Sequence, residues 1–598
     1  MCGIVGYVGE KEANDILISG LEKLEYRGYD SAGVAVISNN KININKKKGR
    51  VENLKSLPQL SGTIGISHTR WSTHGAPSDR NAHPFTDQQN QFAVVHNGII
   101  ENYLELKEEL RKEGIEFSSD TDSEVIVHLV SKNYQETQNL QDAVLKTIKK
   151  LQGAYAFCII KDDQAEIIGA RNGSPLVIGL GNPKKQSFLG AKGSTFERKE
   201  NFFASDVSAI IEYTRDVIYL NDFQIARITT DNVEVFNFQG DEEPLDVREV
   251  NWTLEKAQKQ GYKHFMLKEI FEQPEVVKET LKVPINVISN LKPFSRIIVV
   301  ACGTASYASL VGKYIIEEIA KIPVIYEIAS EFRYKEPLLN KEDLVIVISQ
   351  SGETADTLAA VRLAKEKGAK TLGIINVVDS TIAREVDERI YTRAGPEIGV
   401  ASTKAFISQL IIMYKLAFHL AGKEFQIKDL EEKIKQVLAK HEEIKQLAQK
   451  YYLYQNFLYI GRNRNFPLAL EGALKLKEIS YIHAEAYPAG ELKHGPIALV
   501  SEEMPTLAIC PKDSVYAKTF SNIEEIKARE GKMITIATEG DEEIKKVSND
   551  IIYIPKVDEI FYPLLCTIPL QLFAYYIADM KECDVDKPRN LAKSVTCE

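Results

Sequence analysis

Cys2 is the residue whose position most directly suggests chemistry, because it immediately follows the initiator methionine. Removal of Met1 would place a free α-amine beside the thiol. Such an amine has a reference pKa of roughly 7.7–8.0 and a thiol one of about 8.5, so the amine can act as general base. A terminal cysteine packed as a small apolar side chain is the alternative. The position predicts a thiol nucleophile, provided that other residues supply matching roles.

Five polar segments near the amino terminus supply such roles. They are residues 27–33 (RGYDSAG), 68–75 (HTRWSTHG), 81–85 (NAHPF), 96–102 (HNGIIEN) and 119–124 (SDTDSE). As a set they resemble the N-terminal-nucleophile glutamine amidotransferases, over residues 1–220. The resemblance implies that the Cys2 thiolate attacks the glutamine amide, that ammonia leaves, and that water releases glutamate from the thioester.

The same resemblance assigns residues to the glutamine site. Arg70 would hold the substrate carboxylate with its planar guanidinium, and Asp122 would pair with the substrate ammonium group. The Asn97 side chain and the backbone N–H of Gly98 would form an oxyanion hole. The family's glutamine-site loop and its supports are matched by Trp71, Thr73, His74 and His83.

A metal site is the alternative for the histidines of this region, His68, His74, His83 and His96. Their spacing is not of the HExxH type, and no cysteine ligand accompanies them. We therefore expect no metal and no cofactor.

A second chemical region begins at residues 349–354, SQSGET, which follow an apolar strand and precede a predicted helix starting near Ala355. Hydroxyls and backbone N–H groups at a helix N-terminus can bind a phosphate. Ordinary helix capping by Ser351 is an equally supported alternative. The corresponding later turn, residues 510–514, reads CPKDS and has lost the dense hydroxyl pattern, so we expect one phosphate site in the chain.

These turns resemble the sugar isomerase (SIS) domains, which bind phosphosugars. The resemblance places ligand contacts at Cys302, Gly303, Thr304, Ser349, Gln350, Ser351, Thr354, Val400, Ala401, Ser402, Lys475 and Ala592. Ala305 departs from the family, in which a serine is frequent at this place. Ser306 and Thr304 are the alternative hydroxyl donors.

Residues 471–478, EGALKLKE, fit a helix with Glu471, Lys475 and Glu478 on one face. A solvated, salt-bridged stripe is the alternative interpretation. With the later segments around His494 and Lys593, the whole chain resembles the isomerising glutamine–fructose-6-phosphate aminotransferase family. That resemblance implies a Schiff base at Lys593, ring opening by His494, and proton transfer between C1 and C2 by Glu478, supported by Lys475.

The implied enzyme transfers the amide nitrogen of L-glutamine to D-fructose 6-phosphate and isomerises the product to D-glucosamine 6-phosphate, releasing L-glutamate. This would be the first step of UDP-N-acetylglucosamine synthesis. In the family, His494 would reach the neighbouring subunit's site, which implies a homodimer. Strings typical of asparagine synthetases and phosphoribosyl amidotransferases do not occur. A non-catalytic phosphosugar sensor is disfavoured because Lys593 and Glu478 are present.

The composition limits which binding partners and which cellular location we expect for the protein. A net charge of −10 provides no chain-wide basic field for a nucleic acid. Seven cysteines without CxxC clustering favour reduced thiols and a cytoplasmic location. Two apolar stretches, residues 405–420 and 563–580, are interrupted by polar residues or proline, and neither reaches the roughly 20 apolar residues of a membrane span. We predict two buried helices and no membrane contact.

The elements that must position these residues follow two patterns. Short strands with Gly-rich turns fill the chain to about residue 235, whereas strand–turn–helix repeats begin near residue 285 and return near residue 456. With the resemblances, this predicts an α/β multidomain protein: an N-terminal four-layer α+β glutaminase domain followed by two doubly wound parallel-sheet α/β SIS domains.

Domain boundaries are predicted where the composition changes, and the polar stretch 181–201 is predicted to be a surface loop of unassigned function. The segments are 2–240 for the glutamine amidotransferase domain, 241–284 for a linker and helix, 285–424 for the first SIS domain, 425–455 for a helical connector, 456–588 for the second SIS domain and 589–598 for a catalytic tail.

Overall fold

The structure is a computed structural model that describes residues 2–181, 200–250 and 259–596. Nearly all of the predicted 181–201 loop lies outside the described residues, as does the start of the helical segment after residue 250. The chain forms two compact units, Met1–Leu254 with Ser594–Glu598, and Glu255–Lys593.

The described residues of the first unit form two antiparallel sheets and four α-helices. Its strands are β1 (Gly3–Gly9), β2 (Ser31–Ser38), β3 (Lys41–Lys48), β4 (Ile64–Arg70), β5 (Phe85–Thr86), β6 (Phe92–Gly98), β7 (Tyr155–Lys161), β8 (Ile167–Asn172), β9 (Val177–Leu180), β10 (Glu200–Ala204), β11 (Asp216–Tyr219), β12 (Gln224–Ile228), β13 (Val233–Asn237), β14 (Glu242–Glu243) and β15 (Val247–Glu249). Its helices are α1 (Ala13–Leu24), α2 (Tyr103–Lys112), α3 (Glu124–Thr137) and α4 (Leu140–Ile148). The strand orders are β15-β11-β9-β10-β1-β4-β2-β3 and β14-β13-β12-β8-β7-β6-β5.

The alternation of side chains along β1 explains the layering of this unit. Successive strand residues point to opposite faces, so Val5 packs toward α1 while Ile4 packs toward the second sheet. In β6, Val95 belongs to the core between the sheets and Val94 to the core beneath α3 and α4. The order helix, sheet, sheet, helix confirms the predicted four-layer α+β domain.

The second unit contains two all-parallel sheets. Its strands are β16 (Arg296–Ala301), β17 (Val324–Ile328), β18 (Asp343–Ser349), β19 (Lys370–Ile375), β20 (Glu388–Tyr391), β21 (Asn456–Gly461), β22 (His483–Pro488), β23 (Thr506–Ile509), β24 (Met533–Thr538) and β25 (Asp550–Ile554). Its helices are α5 (Phe265–Phe271), α6 (Gln273–Leu281), α7 (Gly303–Ile319), α8 (Ala329–Phe332), α9 (Ala355–Glu366), α10 (Thr381–Glu385), α11 (Lys404–Leu420), α12 (Leu430–Ala439), α13 (His441–Tyr451), α14 (Phe466–Ser480), α15 (Tyr516–Lys527) and α16 (Tyr562–Met580).

Both parallel sheets have the same strand order, β17-β16-β18-β19-β20 and β22-β21-β23-β24-β25. Along β16, Ile297 and Val299 pack into one core and Ile298 into another, so both faces of the sheet are covered. The two doubly wound α/β layers predicted from the sequence are confirmed. In this order the second strand lies on one side of the first strand and the third strand lies on its other side. The gap between these two connections is the switch point of the sheet, and ligands bind there at the carboxyl ends of the strands. The turns after β16 and β18 lie there in the first sheet.

The two apolar stretches form α11 and α16, and most of their residues are buried. By length and composition, the segment Glu559–Met580 is the one helix of the described residues that could cross a membrane, but 94% of its apolar window is buried in the protein. The prediction of two buried helices is confirmed.

Candidate functional site

Cys2 lies at the start of β1, beside the end of β4. The antiparallel register pairs Gly3 with Thr69, so the thiol reaches the backbone just after β4. The N–H of Trp71 donates to Cys2 Sγ at 3.2 Å. The Cys2 thiol in turn lies 3.5 Å from the Trp71 carbonyl oxygen, so both backbone groups of Trp71 contact the sulfur.

Asn97 and Gly98 end β6 and lie next to the nucleophile. Asn97 Nδ2 donates to the Cys2 carbonyl oxygen at 3.1 Å, and Asn97 Oδ1 lies 3.0 Å from His68 Nε2. Gly98 has φ +116°, and a Cβ there would lie 2.0 Å from the Ala154 carbonyl oxygen, so only glycine fits. The sequence analysis treated His68 only as a possible metal ligand; the structure gives it the role of orienting the Asn97 amide.

Arg70 and Asp122 lie on the same site. The Arg70 guanidinium donates to backbone carbonyls of the following loop, including that of His74, yet its buried Nη1 has no partner among the described residues. Asp122 Oδ2 accepts from the Ile100 N–H at 2.9 Å, and its Oδ1 lies 4.0 Å from His74 Nδ1. Burial lowers the pKa of Arg70, whereas the charges of Cys2 and Asp122 raise it, which marks the three groups as neighbours.

The remaining predicted residues of the glutamine site differ in exposure. Thr73 is exposed, with its hydroxyl 3.3 Å from His74 Nδ1, and Trp71 packs edge-on against Tyr29 at 6.3 Å. His83 is instead buried in the wall behind the site, where it stacks on His68 with ring centroids 4.0 Å apart.

The buried histidines behave as neutral structural groups. Burial lowers the pKa of His68 to about 3 and that of His96 to about 4. His68 Nε2 lies 3.0 Å from Asn97 Oδ1, and His96 Nδ1 lies 2.8 Å from Ser123 Oγ. Across residues 2–181, 200–250 and 259–596, no three His, Cys, Asp or Glu side chains are arranged to hold a metal ion.

The SQSGET turn follows β18 at the switch point of the first parallel sheet. Ser349 Oγ accepts the Gly352 N–H at 2.9 Å and lies 3.3 Å from Thr354 Oγ1. Ser351 Oγ accepts the Glu353 N–H at 3.1 Å. Thr354 is the N-cap residue of α9, so helix capping by Ser351 is wrong: that serine lies too early in the chain and bonds within the turn.

The turn after β16, Cys302 to Thr304, lies beside the SQSGET turn, because β16 and β18 are paired. Thr304 Oγ1 donates to Glu471 Oε1 at 3.3 Å. Ser306 Oγ donates to the carbonyl oxygen of Gly303 at 2.8 Å. Both hydroxyls that the sequence offered in place of the one absent at Ala305 therefore have protein partners already.

The charged face of α14 is buried rather than solvated. Glu471 and Lys475 are 1% and 0% exposed, which overturns the alternative of a solvated stripe. Lys475 Nζ lies 2.6 Å from Glu478 Oε2 and 3.6 Å from Glu471 Oε1. Burial, with the charge of Glu478, raises the pKa of Glu471 to about 8 against the opposing charge of Lys475. Glu471 was absent from the predicted site residues, although its place on this helix face was foreseeable.

Lys593 is held by a carboxylate that the sequence analysis missed. Its Nζ lies 2.5 Å from Glu397 Oε2 and donates to the Gly399 carbonyl oxygen at 2.7 Å. Glu397 also accepts from the Ser402 hydroxyl at 3.0 Å, which brings the predicted contacts Val400 to Ser402 to this lysine. Burial acts to raise the pKa of Glu397, but the Lys593 charge and hydrogen bond bring it below its usual value. No local motif marks Glu397.

The Lys593 and α14 groups belong to one charged network. Burial acts to lower the pKa of Lys475, but Glu471, Glu478 and, more weakly, Glu397 raise it above its usual value. Glu397 therefore acts on both lysines, and Thr304 joins the network through Glu471. Ala592 is half-buried beside Lys593.

His494 is the predicted catalytic residue that the chain does not bring to this network. It ends a short 3-10 helix, Ala489–His494, and is exposed. None of the contacts described for residues 259–596 connects it to Lys593 or Glu478.

The switch point of the second parallel sheet carries different side chains from that of the first. Asp513 Oδ2 accepts from Asn465 Nδ2 at 2.8 Å, and Lys512 Nζ lies 3.0 Å from Asp541 Oδ1. A carboxylate thus stands where the first sheet carries hydroxyls, and repulsion of a phosphate follows. This arrangement agrees with the expectation of a single phosphate site.

Comparisons with known proteins match both parts of the chain. The glutamine amidotransferase domain family matches residues 68–195, and the SIS domain family matches residues 291–420 and 454–579. A glutamine–fructose-6-phosphate aminotransferase (isomerizing) of Aquifex aeolicus is 52% identical over 610 residues, and one of Thermus thermophilus 47% over 622 residues, with 100% of each chain covered. The solved C-terminal domain of the glucosamine-fructose-6-phosphate aminotransferase of Francisella tularensis covers 55% of this chain and 100% of its own, at 41% identity and a TM-score of 0.52.

Proposed function

This chain belongs to the family of isomerizing glutamine–fructose-6-phosphate aminotransferases, and from that premise we propose how its residues divide the reaction. It transfers the amide nitrogen of L-glutamine to D-fructose 6-phosphate and isomerises the product to D-glucosamine 6-phosphate, releasing L-glutamate. The family and the enzyme class expected from the sequence are confirmed. The roles of single residues, the domain boundaries and the subunit assembly are proposals argued from contacts.

At the glutamine site, Cys2 Sγ attacks the side-chain amide carbon, and the carbonyl oxygen becomes an oxyanion. Asn97 Nδ2, already 3.1 Å from the Cys2 carbonyl, and the N–H of Gly98 stabilise that charge. Ammonia leaves as the tetrahedral intermediate collapses to a thioester. Water then hydrolyses the thioester, which releases glutamate and restores the thiol.

The substrate's own charges fix its orientation. The buried Nη1 of Arg70 has no partner among the described residues and would donate to the α-carboxylate. Asp122 would accept from the α-ammonium group. Trp71, Thr73 and His74 line the loop over this site, and His83 supports it from behind. A substrate bound at both charges presents its amide to Cys2 in one orientation, which is the main advantage of such a clamp.

At the sugar site, the SQSGET turn holds the phosphate and Lys593 reacts with the sugar. Lys593 Nζ forms a bond to C2 of the open-chain ketose, and the carbonyl oxygen leaves as water. Ammonia from the first site then replaces the lysine nitrogen at C2. The observation that carries this proposal is that Lys593 Nζ is held 2.5 Å from Glu397 Oε2, a base that can accept the ammonium proton before attack.

Isomerisation needs a proton to leave C1 and another to reach C2. We assign this transfer to Glu478, whose Oε2 lies 2.6 Å from Lys475 Nζ, because a held carboxylate can remove and return a proton across one face of the sugar. Lys475 orients Glu478, and Thr304 with Glu471 completes the wall beside them.

His494 would assist ring opening from a second copy of the chain, which makes the proposed assembly a homodimer. Its exposure at the end of the Ala489–His494 helix supports a role in a neighbouring site. Sedimentation equilibrium of the full chain tests this proposal, since a monomer at micromolar concentration contradicts it.

We also propose that the enzyme is cytoplasmic and that its product enters UDP-N-acetylglucosamine synthesis. The six described cysteines are all free thiols, which fits a reducing compartment. Loss of nucleotide-linked amino sugar after depletion of the enzyme, restored by added glucosamine, is the corresponding measurement; an unchanged pool contradicts the placement.

Labelled substrate tests the whole proposal. Glutamine carrying nitrogen-15 in its amide, with fructose 6-phosphate, should yield labelled glucosamine 6-phosphate and unlabelled glutamate. Cys2→Ala should abolish glutamine hydrolysis and leave sugar-phosphate binding intact. Product without the label, or normal glutamine hydrolysis by that variant, would refute the assignment.

A further inference from the structure

Glu269, on α5, is a buried carboxyl that none of the proposed steps uses. It is 2% exposed, and its Oε1 accepts two successive backbone N–H groups, that of Ile398 at 2.5 Å and that of Gly399 at 3.2 Å. Two N–H groups converging on one oxygen fix the backbone of this turn.

The turn held by Glu269 is the one that holds Lys593. The carbonyl of Gly399 accepts from Lys593 Nζ at 2.7 Å, and Glu397, two residues earlier, lies 2.5 Å from the same nitrogen. The Glu269 carboxyl also packs directly on the backbone, since a Cβ at Gly399 would lie 2.9 Å from Oε2. Movement of residues 397–399 would therefore move both acceptors of the lysine together.

A second connection fastens α5 to the same region. Asp586 accepts from the N–H groups of Phe265 at 2.8 Å and Met266 at 2.9 Å, at the start of α5. The carbonyl of Asp586 accepts the Val400 N–H at 3.0 Å. Helix α5, the turn and the chain leading to Lys593 are thus joined on both sides of Gly399.

The charge state of Glu269 indicates which substitutions preserve these contacts. Burial and the charge of Glu397 raise its pKa to about 8, against the lowering effect of Lys593 and Lys404. Lys268 and Glu272 are the charged neighbours on its own helix. At neutral pH the group is therefore mostly a neutral carboxylic acid, so glutamine resembles it in shape, charge and the ability to accept through Oε1.

We infer that Glu269 is a positioning residue for Lys593, which it orients by fixing the Ile398–Gly399 turn through two backbone hydrogen bonds. The inference rests on the proposed Schiff-base role of Lys593. It predicts that loss of the Glu269 acceptor slows imine formation without weakening the binding of the sugar phosphate, because the SQSGET turn is untouched.

Borohydride trapping of the imine between the full-length enzyme and fructose 6-phosphate measures this step directly. Glu269→Ala should slow trapping at saturating sugar by at least about tenfold, since small misplacement of a reacting group has effects of this size or larger. The sugar concentration for half-maximal trapping should change less than about twofold, as should glutamine hydrolysis without sugar. Glu269→Gln should restore trapping to within about threefold of wild type.

Glu275→Ala is the matched control, because Glu275 lies on the next helix, α6, forms an exposed pair with Lys278 and does not bond the turn. It should trap at the wild-type rate within about twofold. Equal loss in both alanine variants, or a Glu269→Gln enzyme as slow as Glu269→Ala, overturns the inference. Lys593→Arg tests the proposed Schiff-base role of Lys593 separately. That role is refuted if the Lys593→Arg enzyme is still trapped or if the wild-type enzyme is not trapped. If Glu269→Ala is trapped at the wild-type rate, only the positioning role of Glu269 is refuted.

Discussion

The two parallel sheets of the second unit share one strand order but carry different chemistry. At the switch point of the first sheet, the turn after β18 offers the hydroxyls of Ser349 and Thr354 beside backbone N–H groups. At the same place in the second sheet, Asp513 and Lys512 are paired within the protein. Equal topology therefore does not give equal function, because the ligand is selected by side chains at the switch point.

In the proposed mechanism, the second sheet contributes to catalysis by another route. Helix α14, which follows its first strand, carries Glu471, Lys475 and Glu478, and Thr304 of the first sheet bonds to Glu471. One repeat thus retains the phosphate turn and the other supplies a charged helix face. The comparison can be tested by paired substitutions at corresponding places.

The largest difference is expected between Lys593 of the proposed sugar site and Lys512 at the switch point of the second sheet. Lys593→Ala should lower glucosamine 6-phosphate formation by more than about 1000-fold, because the covalent nucleophile is lost. Lys512→Ala should change it by less than about twofold, since Lys512 pairs with Asp541 of the second sheet and takes no part in the proposed steps. Rates of product formation, with glutamine hydrolysis as the folding control, measure both. Comparable losses would mean that the second switch point is also functional.

Removing hydroxyls from the first turn should have the next largest effect. The double variant Ser349→Ala with Thr354→Ala should raise the KM for fructose 6-phosphate by about 100-fold or more, because each of the two hydrogen bonds to the charged phosphate contributes roughly 1.5–3 kcal/mol. Asp513→Asn in the second turn should leave this KM unchanged. Steady-state kinetics in fructose 6-phosphate at saturating glutamine decide the outcome, and an equal shift in both enzymes would contradict a single phosphate site.

Glycine substitutions should show a difference in stability between the SQSGET turn of the first sheet and the turn after β24 of the second sheet. A Cβ at Gly352 (φ +66°) would lie 1.9 Å from Ser380 Oγ, whereas Gly540 (φ +82°) has nothing within 4 Å. Gly540→Ala should cost about 1 kcal/mol for its backbone alone, and Gly352→Ala about 2–4 kcal/mol. Thermal unfolding of the two variants gives the comparison. Equal melting temperatures would show that the first turn is more adaptable than its packing indicates.

The smallest expected effect is a change in pH dependence. The folded pKa of Glu471, about 8, lies above the 4.5 of an ordinary glutamate, so folding takes up a proton between these values. The stabilisation is complete below about pH 4.5 and is lost as the pH rises through about 8. Glu471→Gln should remove this decline, to which each unit of raised pKa contributes about 1.4 kcal/mol. If the melting temperatures of the two enzymes change with pH in the same way from pH 5 to 9, the raised pKa of Glu471 is contradicted.

Much of the fold was predictable because its signals are local. Strand and helix periodicity indicated the parallel layers, and the apolar α11 and α16 were recognised as buried helices. Ser351 shows the limit of such reasoning. Its residue type permits helix capping, but the exact start of α9 decides which hydroxyl lies at the helix end, and a difference of three residues changes its partner.

The sequence by itself determined the enzyme class and led to Cys2 as the proposed nucleophile and Lys593 as the proposed reactive lysine, because these depend on residue types within short motifs. Tertiary structure alone decided which groups support them. Glu397 meets Lys593 across 196 residues of chain, and Glu269 meets Gly399 across 130. Contacts of this kind leave no local pattern in the sequence, since burial and charge pairing arise only when distant segments pack together.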